Sequence, residues 1–207
     1  MSKELLYQGA EACILKTSWH EFPAVKKQRV SKSYRHKTID QMLIAQRTKE
    51  EAKLMSAARQ SGVSVPLLYD VDQHQGCITM EYIDGTRVKD LFSSLSNHKQ
   101  QTLCETIGSS IARLHNNGII HGDLTTSNMI CQGSQILFID FGLGQLSNED
   151  EYRGVDLHVL MEALESTHSK YPDAFDFVWN GYEKVFDNDS SCVYEKIQEI
   201  IQRGRYR

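Results

Sequence analysis

The sequence predicts an α+β fold of two lobes, a small β-rich lobe followed by a reduced helical one. Three observations predict it. Short apolar segments and one long helical pattern fill the first part of the chain. A connecting strand follows at residues 77–83, and the remainder is mostly helical in period. The 207 residues suit two small lobes that share a cleft, divided here as 1–83 and 84–207 and joined at about residues 80–85.

Residues 5–30 read as short strands, with Gly9-Ala10-Glu11-Ala12 as a turn between apolar segments. Ala24-Val25 leads into a basic stretch from Lys26 to Lys37. Thr38 followed by Gln41 has the spacing of a capping box, and the helix it opens runs to about Gln60, where Gly62 stops it. Within that helix Glu51, Leu54, Met55 and Ala58 recur at helical spacing. An inward carboxylate is costly unless it meets a cation. Spacing alone equally allows Glu51 at the stripe's edge, reaching water.

Cys77 to Ile83 form a strand that ends at Asp84-Gly85. Leu103, Ile107, Ile111 and Leu114 mark the next helix, with Gly118 just past its end. Two short strands, near Ile119-Ile120 and Ile136 to Ile139, flank a polar segment. Helices are predicted at about 155–166, 172–186 and 192–203, before the basic tail Arg203-Gly204-Arg205-Tyr206-Arg207.

Hydrophobic residues make up 40% and charged residues 24%, and the net charge of −4 excludes a polycation. Nucleic acid would be met only by local patches: Lys26, Arg29, Lys32, Arg35 and Lys37, and the arginine tail. A solvated face is the plainer reading of the first patch. Five dispersed cysteines without a CxxC pair argue against structural zinc and a disulfide framework. No signal-peptide core and no membrane span is found, so a soluble protein of cytoplasm and nucleus is expected, without membrane partners.

The chemistry lies in His121-Gly122-Asp123-Leu124-Thr125-Thr126-Ser127-Asn128, with Asp140-Phe141-Gly142 placed so that Asp140 follows Asn128 by twelve positions. The pair matches the D-L-x-x-x-N and D-F-G pattern of protein kinases. Phosphoryl transfer needs its nucleophile held in line with the γ-phosphate, which a carboxylate at Asp123 would orient. Magnesium takes one or two hard protein oxygens beside phosphate and water, which Asn128 and Asp140 would supply as metal ligands. Gly142 is expected to let the backbone turn so that Asp140 faces the phosphates.

Ala24-Val25-Lys26-Lys27 resembles the kinase V-A-I-K segment. Side chains alternate along a strand, so Lys27 points inward and Lys26 outward. Lys27 would then pair with Glu51, and these two join Asp123 as predicted catalytic residues. Gly9, Ala10, Glu11 and Ala12 occupy the place of the loop that covers phosphates, although with one glycine where ordinary kinases have three. Met80, Glu81 and Ile83 stand where kinases read adenine, through the Glu81 carbonyl and the Ile83 amide. With Lys27, Asn128 and Asp140 they complete the predicted nucleotide-binding set.

The resemblance is closer than to kinases at large. The turn at Gly9, the stretch Lys32-Ser33-Tyr34-Arg35-His36, His121 to Asn128, Asp140 to Leu143, Gly154-Val155-Asp156-Leu157 and Arg203-Gly204-Arg205 occur in order. Together they resemble the small atypical kinase subunits of the KEOPS (EKC) complex, the Bud-thirty-two type, related to RIO kinases. The resemblance implies a protein-kinase-like fold, Mg-ATP (or Mn-ATP) as cofactor, serine/threonine autophosphorylation and ATPase activity. It implies two protein partners: the metal-containing ATPase subunit that makes threonylcarbamoyladenosine next to the tRNA anticodon, and a small Cgi-type subunit on the N-lobe. Roles in telomere maintenance and transcription are attributed to the same complex.

Departures from ordinary kinases carry meaning. Gly122 replaces the arginine that pairs with a phosphorylated activation loop, and no A-P-E follows, so loop phosphorylation is not the expected switch. Asp156 reads either as an anchor of the catalytic loop or as a helix N-terminal acid favoured by the dipole. The chain continues only about 50 residues beyond Asp156, too few for a large acceptor-holding lobe, which favours ATP hydrolysis coupled to a partner. Two alternatives stand beside this reading. One is a small-molecule phosphotransferase of the aminoglycoside or choline kinase kind. The other is a scaffold with a vestigial ATP site, against which the complete residue set counts.

Overall fold

The computed structural model describes residues 4–9 and 11–205. Ala10 of the predicted phosphate-covering turn, and Tyr206 and Arg207 of the tail, lie outside the described residues. Strands β1 (Glu4–Gln8), β2 (Ala12–Trp19) and β3 (Phe22–Arg29) form an antiparallel meander. Helix α1 (Lys37–Gln60) crosses to β4 (Leu68–Asp72) and β5 (Cys77–Glu81), giving one antiparallel sheet in the order β1-β2-β3-β5-β4. The C-lobe holds β6 (Thr86–Arg87), α2 (Val88–Leu91), α3 (Asn97–Asn116), β7 (Ile119–Ile120), β8 (Met129–Gln132), β9 (Gln135–Phe138) and β10 (Gln145–Leu146). Helices α4 (Asp150–Thr167), α5 (Ala174–Glu183) and α6 (Ser190–Arg205) close it. The architecture is the predicted α+β pair of lobes.

Helix α1 ends at Gln60, and Gly62 takes the left-handed conformation just beyond (φ 80°). Its start differs from the capping-box expectation. The N-cap is His36, without a side-chain cap, and Thr38 already lies inside the helix. Asp40 explains the shift. Its buried carboxylate accepts from the Ser31 hydroxyl at 2.7 Å, the Lys32 amide at 3.2 Å and the Arg35 guanidinium at 3.3 Å. The loop before the helix is thereby folded onto the first turn, and no free cap is needed. Strand β4 escaped the sequence reading because its residues are only half buried and show no clean alternation. Helix α4 starts earlier than predicted, at Asp150, where Asp150 and Glu151 favour the N-terminal dipole.

A continuous apolar core runs from Leu54, Met55 and Ile78 through Phe138, Phe141 and Leu124 to Ile111, Leu157, Val178 and Ile197. One buried polar group sits badly in it. His168 follows α4, is 3% exposed, and packs tilted against Phe92 with ring centroids 4.6 Å apart, yet neither ring nitrogen has a partner among the described residues. Burial, aided by Lys89, holds its pKa below the ordinary 6.5. His168→Phe is therefore expected to raise stability by about 1 kcal/mol, because it removes two unsatisfied polar atoms and keeps a ring on Phe92. The sign of the pH effect follows from linkage. A histidine whose pKa is depressed by folding leaves stability intact above about 6.5 and erodes it as pH falls below that value. Urea denaturation at about pH 7.5 and about pH 5, above and below that value, should show the larger gain for His168→Phe at the lower pH.

Candidate active site

Strand β3 presents Lys27 and Arg29, two positions apart, on its inner face. Both are buried, at 5% and 8% exposure, and both meet Glu51 of α1. Lys27 Nζ lies 2.6 Å from Glu51 Oε1, and Arg29 Nη2 lies 2.5 Å from Glu51 Oε2. Glu51 is 1% exposed, so each of its oxygens is served by one cation. Lys27 and Glu51 pair as expected, whereas Arg29, expected in a surface patch, is buried. The alternation that turns Lys27 inward, carried two residues further, places Arg29 beside it.

Lys27 also donates to Asp140 Oδ1 at 2.6 Å. Burial alone would lower the lysine pKa, but the charges of Glu51 and Asp140 outweigh it and hold the amine above 10.5. Burial would raise Asp140, yet Lys27 and the Gly142 amide carry it below the ordinary 3.8. Asp140 is itself the residue with left-handed backbone (φ 64°) after β9. The expectation that Gly142 makes this turn is corrected. Gly142 is needed for room: a Cβ there would lie 3.0 Å from Asp140 Oδ1 and 3.3 Å from Arg29 Nη2, inside the ion cluster.

Asp123 and Asn128 come together on the other side of Ile139, whose amide donates to the Asn128 carbonyl at 2.9 Å. Asn128 Nδ2 donates to Asp123 Oδ2 at 2.8 Å and to the Asp123 carbonyl at 3.0 Å. The amide oxygen of Asn128 is thereby turned away from Asp123. His121 joins the two groups. Its Nδ1 accepts from the Asp123 amide at 3.3 Å, its Nε2 donates to the Ile139 carbonyl at 3.1 Å, and its ring packs on Phe141 at 4.5 Å. Burial pushes its pKa below 6.5, in keeping with a neutral imidazole that both donates and accepts.

Asp156 anchors this loop from below. Its oxygens accept from the His121 amide at 2.7 Å and the Gly122 amide at 2.8 Å, with His115 Nε2 at 3.3 Å. It stands in the second turn of α4, which decides against the N-terminal dipole reading. Gly122 has φ 82°, and a Cβ there would meet the Leu143 carbonyl oxygen at 2.2 Å. Restoring the ordinary kinase residue, Gly122→Arg, is expected to cost about 2–3 kcal/mol through left-handed strain and the clash. A fall in the urea midpoint with an unchanged slope would register it.

The predicted adenine edge lies on β5 and just after it. Met80 and Ile83 are buried, and Glu81 is pinned to Leu67, donating its amide to the carbonyl at 2.8 Å and accepting the Leu67 amide on its carboxylate at 3.1 Å. In the turn ahead of β2, the Gly9 amide donates to the Ala12 carbonyl at 2.9 Å, Ala12 is buried and Glu11 is exposed. The basic patch is not one open surface, because Arg29 pairs with Glu51 and Arg35 with Asp40. In the tail, Arg203 pairs with Glu151 and Glu199. Beside the catalytic loop lies a groove of about 780 Å³ lined by Thr125, Ser127, Glu162, Glu165 and Ser166 among others. Among the described residues no helix is long and apolar enough to cross a membrane.

The donor set suits a hard divalent cation. The Asn128 amide oxygen and the Asp140 carboxylate are oxygen ligands, and no sulfur or imidazole competes at these positions. Lys27 adds a buried cation for an oxyanion beside them.

A family model described as the RIO domain matches residues 9–153. The KEOPS complex subunit Bud32 of Pyrococcus abyssi is 42% identical over 212 residues, covering 99% of this chain and 96% of that protein. A probable bifunctional tRNA threonylcarbamoyladenosine biosynthesis protein of Methanothermobacter thermautotrophicus is 46% identical over 204 residues. This chain spans 36% of that relative's length, so it corresponds to one part of a longer protein there. Among solved structures, the Rio2 kinase–ADP/Mg2+–phosphoaspartate complex of Chaetomium thermophilum superposes with a TM-score of 0.66 at 17% identity. The match covers 95% of this chain and 70% of that one, a likeness of fold.

Proposed function

The chain belongs to the RIO-domain family, and we propose that it is an atypical Mg-ATP-dependent kinase and ATPase, the kinase subunit of a KEOPS-type complex that supports threonylcarbamoyladenosine formation in tRNA. One observation carries the reading: Lys27 bridges Glu51 and Asp140 at 2.6 Å each, while Asn128, whose carbonyl accepts the amide of Ile139 beside Asp140 at 2.9 Å, holds Asp123. Polar groups far apart in sequence are thus gathered at one place, at the expense of burying two cations and a carboxylate. The names of the relatives supply the tRNA context.

In this mechanism Glu51 fixes the ammonium of Lys27 beside the α- and β-phosphates. Met80, Glu81 and Ile83 border the adenine. Asn128 and Asp140 would hold Mg2+ (or Mn2+), which when bound neutralises phosphate charge and fixes the phosphate oxygens. Asp123, kept in place by the Asn128 amide and by its own backbone bond to His121, accepts a hydrogen bond from the attacking hydroxyl or water and orients it. His121 stays neutral and structural. Acceptor hydroxyls are serine or threonine, on the chain itself or a partner, and water serves in the ATPase reaction.

The partners proposed are the metal-containing ATPase subunit, the small Cgi-type subunit and tRNA. Fusion of a matching segment to a longer protein in the bifunctional relatives supports the first. Location in cytoplasm and nucleus belongs to the same proposal. The test is turnover of radiolabelled ATP, with and without the partner ATPase and tRNA, by wild type and Asp123→Ala. Partner-stimulated turnover lost in the variant is the expected result. Transfer to an aminoglycoside or choline, or nucleotide binding without turnover in any mixture, would refute it.

A further inference from the structure

The turn between β1 and β2 is tied to α1 by charge. The Arg47 guanidinium donates through one nitrogen to both carboxylate oxygens of Glu11, at 3.1 and 3.0 Å, and Arg29 lies 3.8 Å from the same carboxylate. The Glu11 carbonyl accepts the Val30 amide at 3.0 Å, which tethers the turn to the end of β3 beside Arg29. Arg47 stands four residues before Glu51 on α1, so the two share a helix face. Alternating charges therefore run from the site to the surface: Asp140, Lys27, Glu51, Arg29, Glu11, Arg47. Lys27, Glu51 and Arg29 are buried. The Glu11 and Arg47 side chains are 48% and 36% exposed.

Because Arg47 and Glu51 ride on one rigid helix, the inward position of α1 makes two sets of contacts at once. It seats Glu51 on Lys27 and Arg29, and it brings Arg47 onto Glu11. An outward rotation of α1 breaks both. Arg29 couples them further, since it is buried between the two carboxylates and its Nε has no partner among the described residues. From this geometry we infer that Glu11, Arg47 and Arg29 are positioning residues that latch Glu11 onto α1, so that seating Arg47 on Glu11 and completing the Lys27–Glu51 pair are one event. The inference rests on the Mg-ATP reading for its consequence and on the ion chain for its existence.

The latch itself is read without nucleotide. In Glu11→Gln, amide exchange of residues 8–13 should quicken, and the same should follow in Arg47→Gln. With Mg-ATP, each single variant is expected to raise KM about two- to five-fold, the range of an exposed ion pair, with kcat within about twofold of wild type. The double variant should be no worse than either single, the mark of one shared contact. Salt at about 0.5 M should bring wild type toward the variants, since this outer pair is open to screening. Arg29→Lys should keep more of the affinity than Arg29→Met. Unchanged exchange in both singles, or additive losses in the double, overturns the latch. A wild type that ignores Mg-ATP removes the nucleotide reading, and the exchange result then still decides whether the latch exists.

Discussion

Asp140→Asn is expected to fold normally and to lose ATP turnover by about a thousandfold or more, on the scale of removing a charge aligned with the transition state. Asparagine is close in shape to aspartate and tolerates the left-handed backbone that residue 140 adopts at φ 64°. Its side chain can still accept from Lys27 and from the Gly142 amide, which now contact Asp140 at 2.6 and 3.2 Å. The change removes the negative charge alone. With it goes the one anionic ligand of the proposed metal site, which is left with two neutral amide oxygens, at Asn128 and at position 140. The pH behaviour separates this account from a mere loss of structure. Lys27 and the Gly142 amide hold the carboxyl of Asp140 below 3.8 despite its burial, so the charge is complete above that value and its contribution is lost only as pH falls through the lower folded value. The deficit of the variant should therefore be uniform between about pH 5 and 9, a window above the carboxylate range and below the lysine range. A deficit that vanished anywhere in that window, or a variant that turned over ATP like wild type, would contradict the assignment of Asp140.

Much of this site was legible because its parts lie in short, ordered motifs. Asp123 and Asn128 are five residues apart and touch, so the local pattern carried their relation. The partnership of Lys27 and Glu51 spans 24 residues and was still readable, because strand alternation fixed one direction and helical spacing the other. What stayed hidden depends on contacts that no local rule encodes. Arg29 looked like one more surface cation among five, and only the arrival of Glu51 from α1 turns it into a core residue. The start of α1 was misread because Asp40 caps the preceding loop rather than its own helix. The anchoring role of Asp156 needed the topology, since α4 must pass beneath the loop for its carboxylate to reach the His121 and Gly122 amides. Gly142 was singled out for the wrong freedom. The left-handed turn falls on Asp140, and the missing side chain at Gly142 makes space for the ion cluster.

Removing Glu51 should cost stability and binding together, whereas removing the whole buried cluster should cost binding alone. Glu51→Ala strands the guanidinium of Arg29, which is 8% exposed and among the described residues keeps only a 3.8 Å contact with Glu11, and it leaves Lys27 to Asp140. An uncompensated buried charge is worth about 3–5 kcal/mol, so the urea midpoint should fall steeply. The triple variant Lys27→Met, Arg29→Met, Glu51→Leu replaces the three charges with apolar groups of comparable volume. Its stability should return to within about 1 kcal/mol of wild type or exceed it, because a buried ion cluster repays its desolvation poorly. Nucleotide affinity should not return with it. Denaturation and nucleotide-binding titrations on the same preparations decide the matter. If the triple variant were as unstable as Glu51→Ala, the cluster would be holding the lobes together. If it bound Mg-ATP normally, the cluster would have no part in the site. Recovery of stability without recovery of binding would mean that the fold tolerates these three charges and the site requires them.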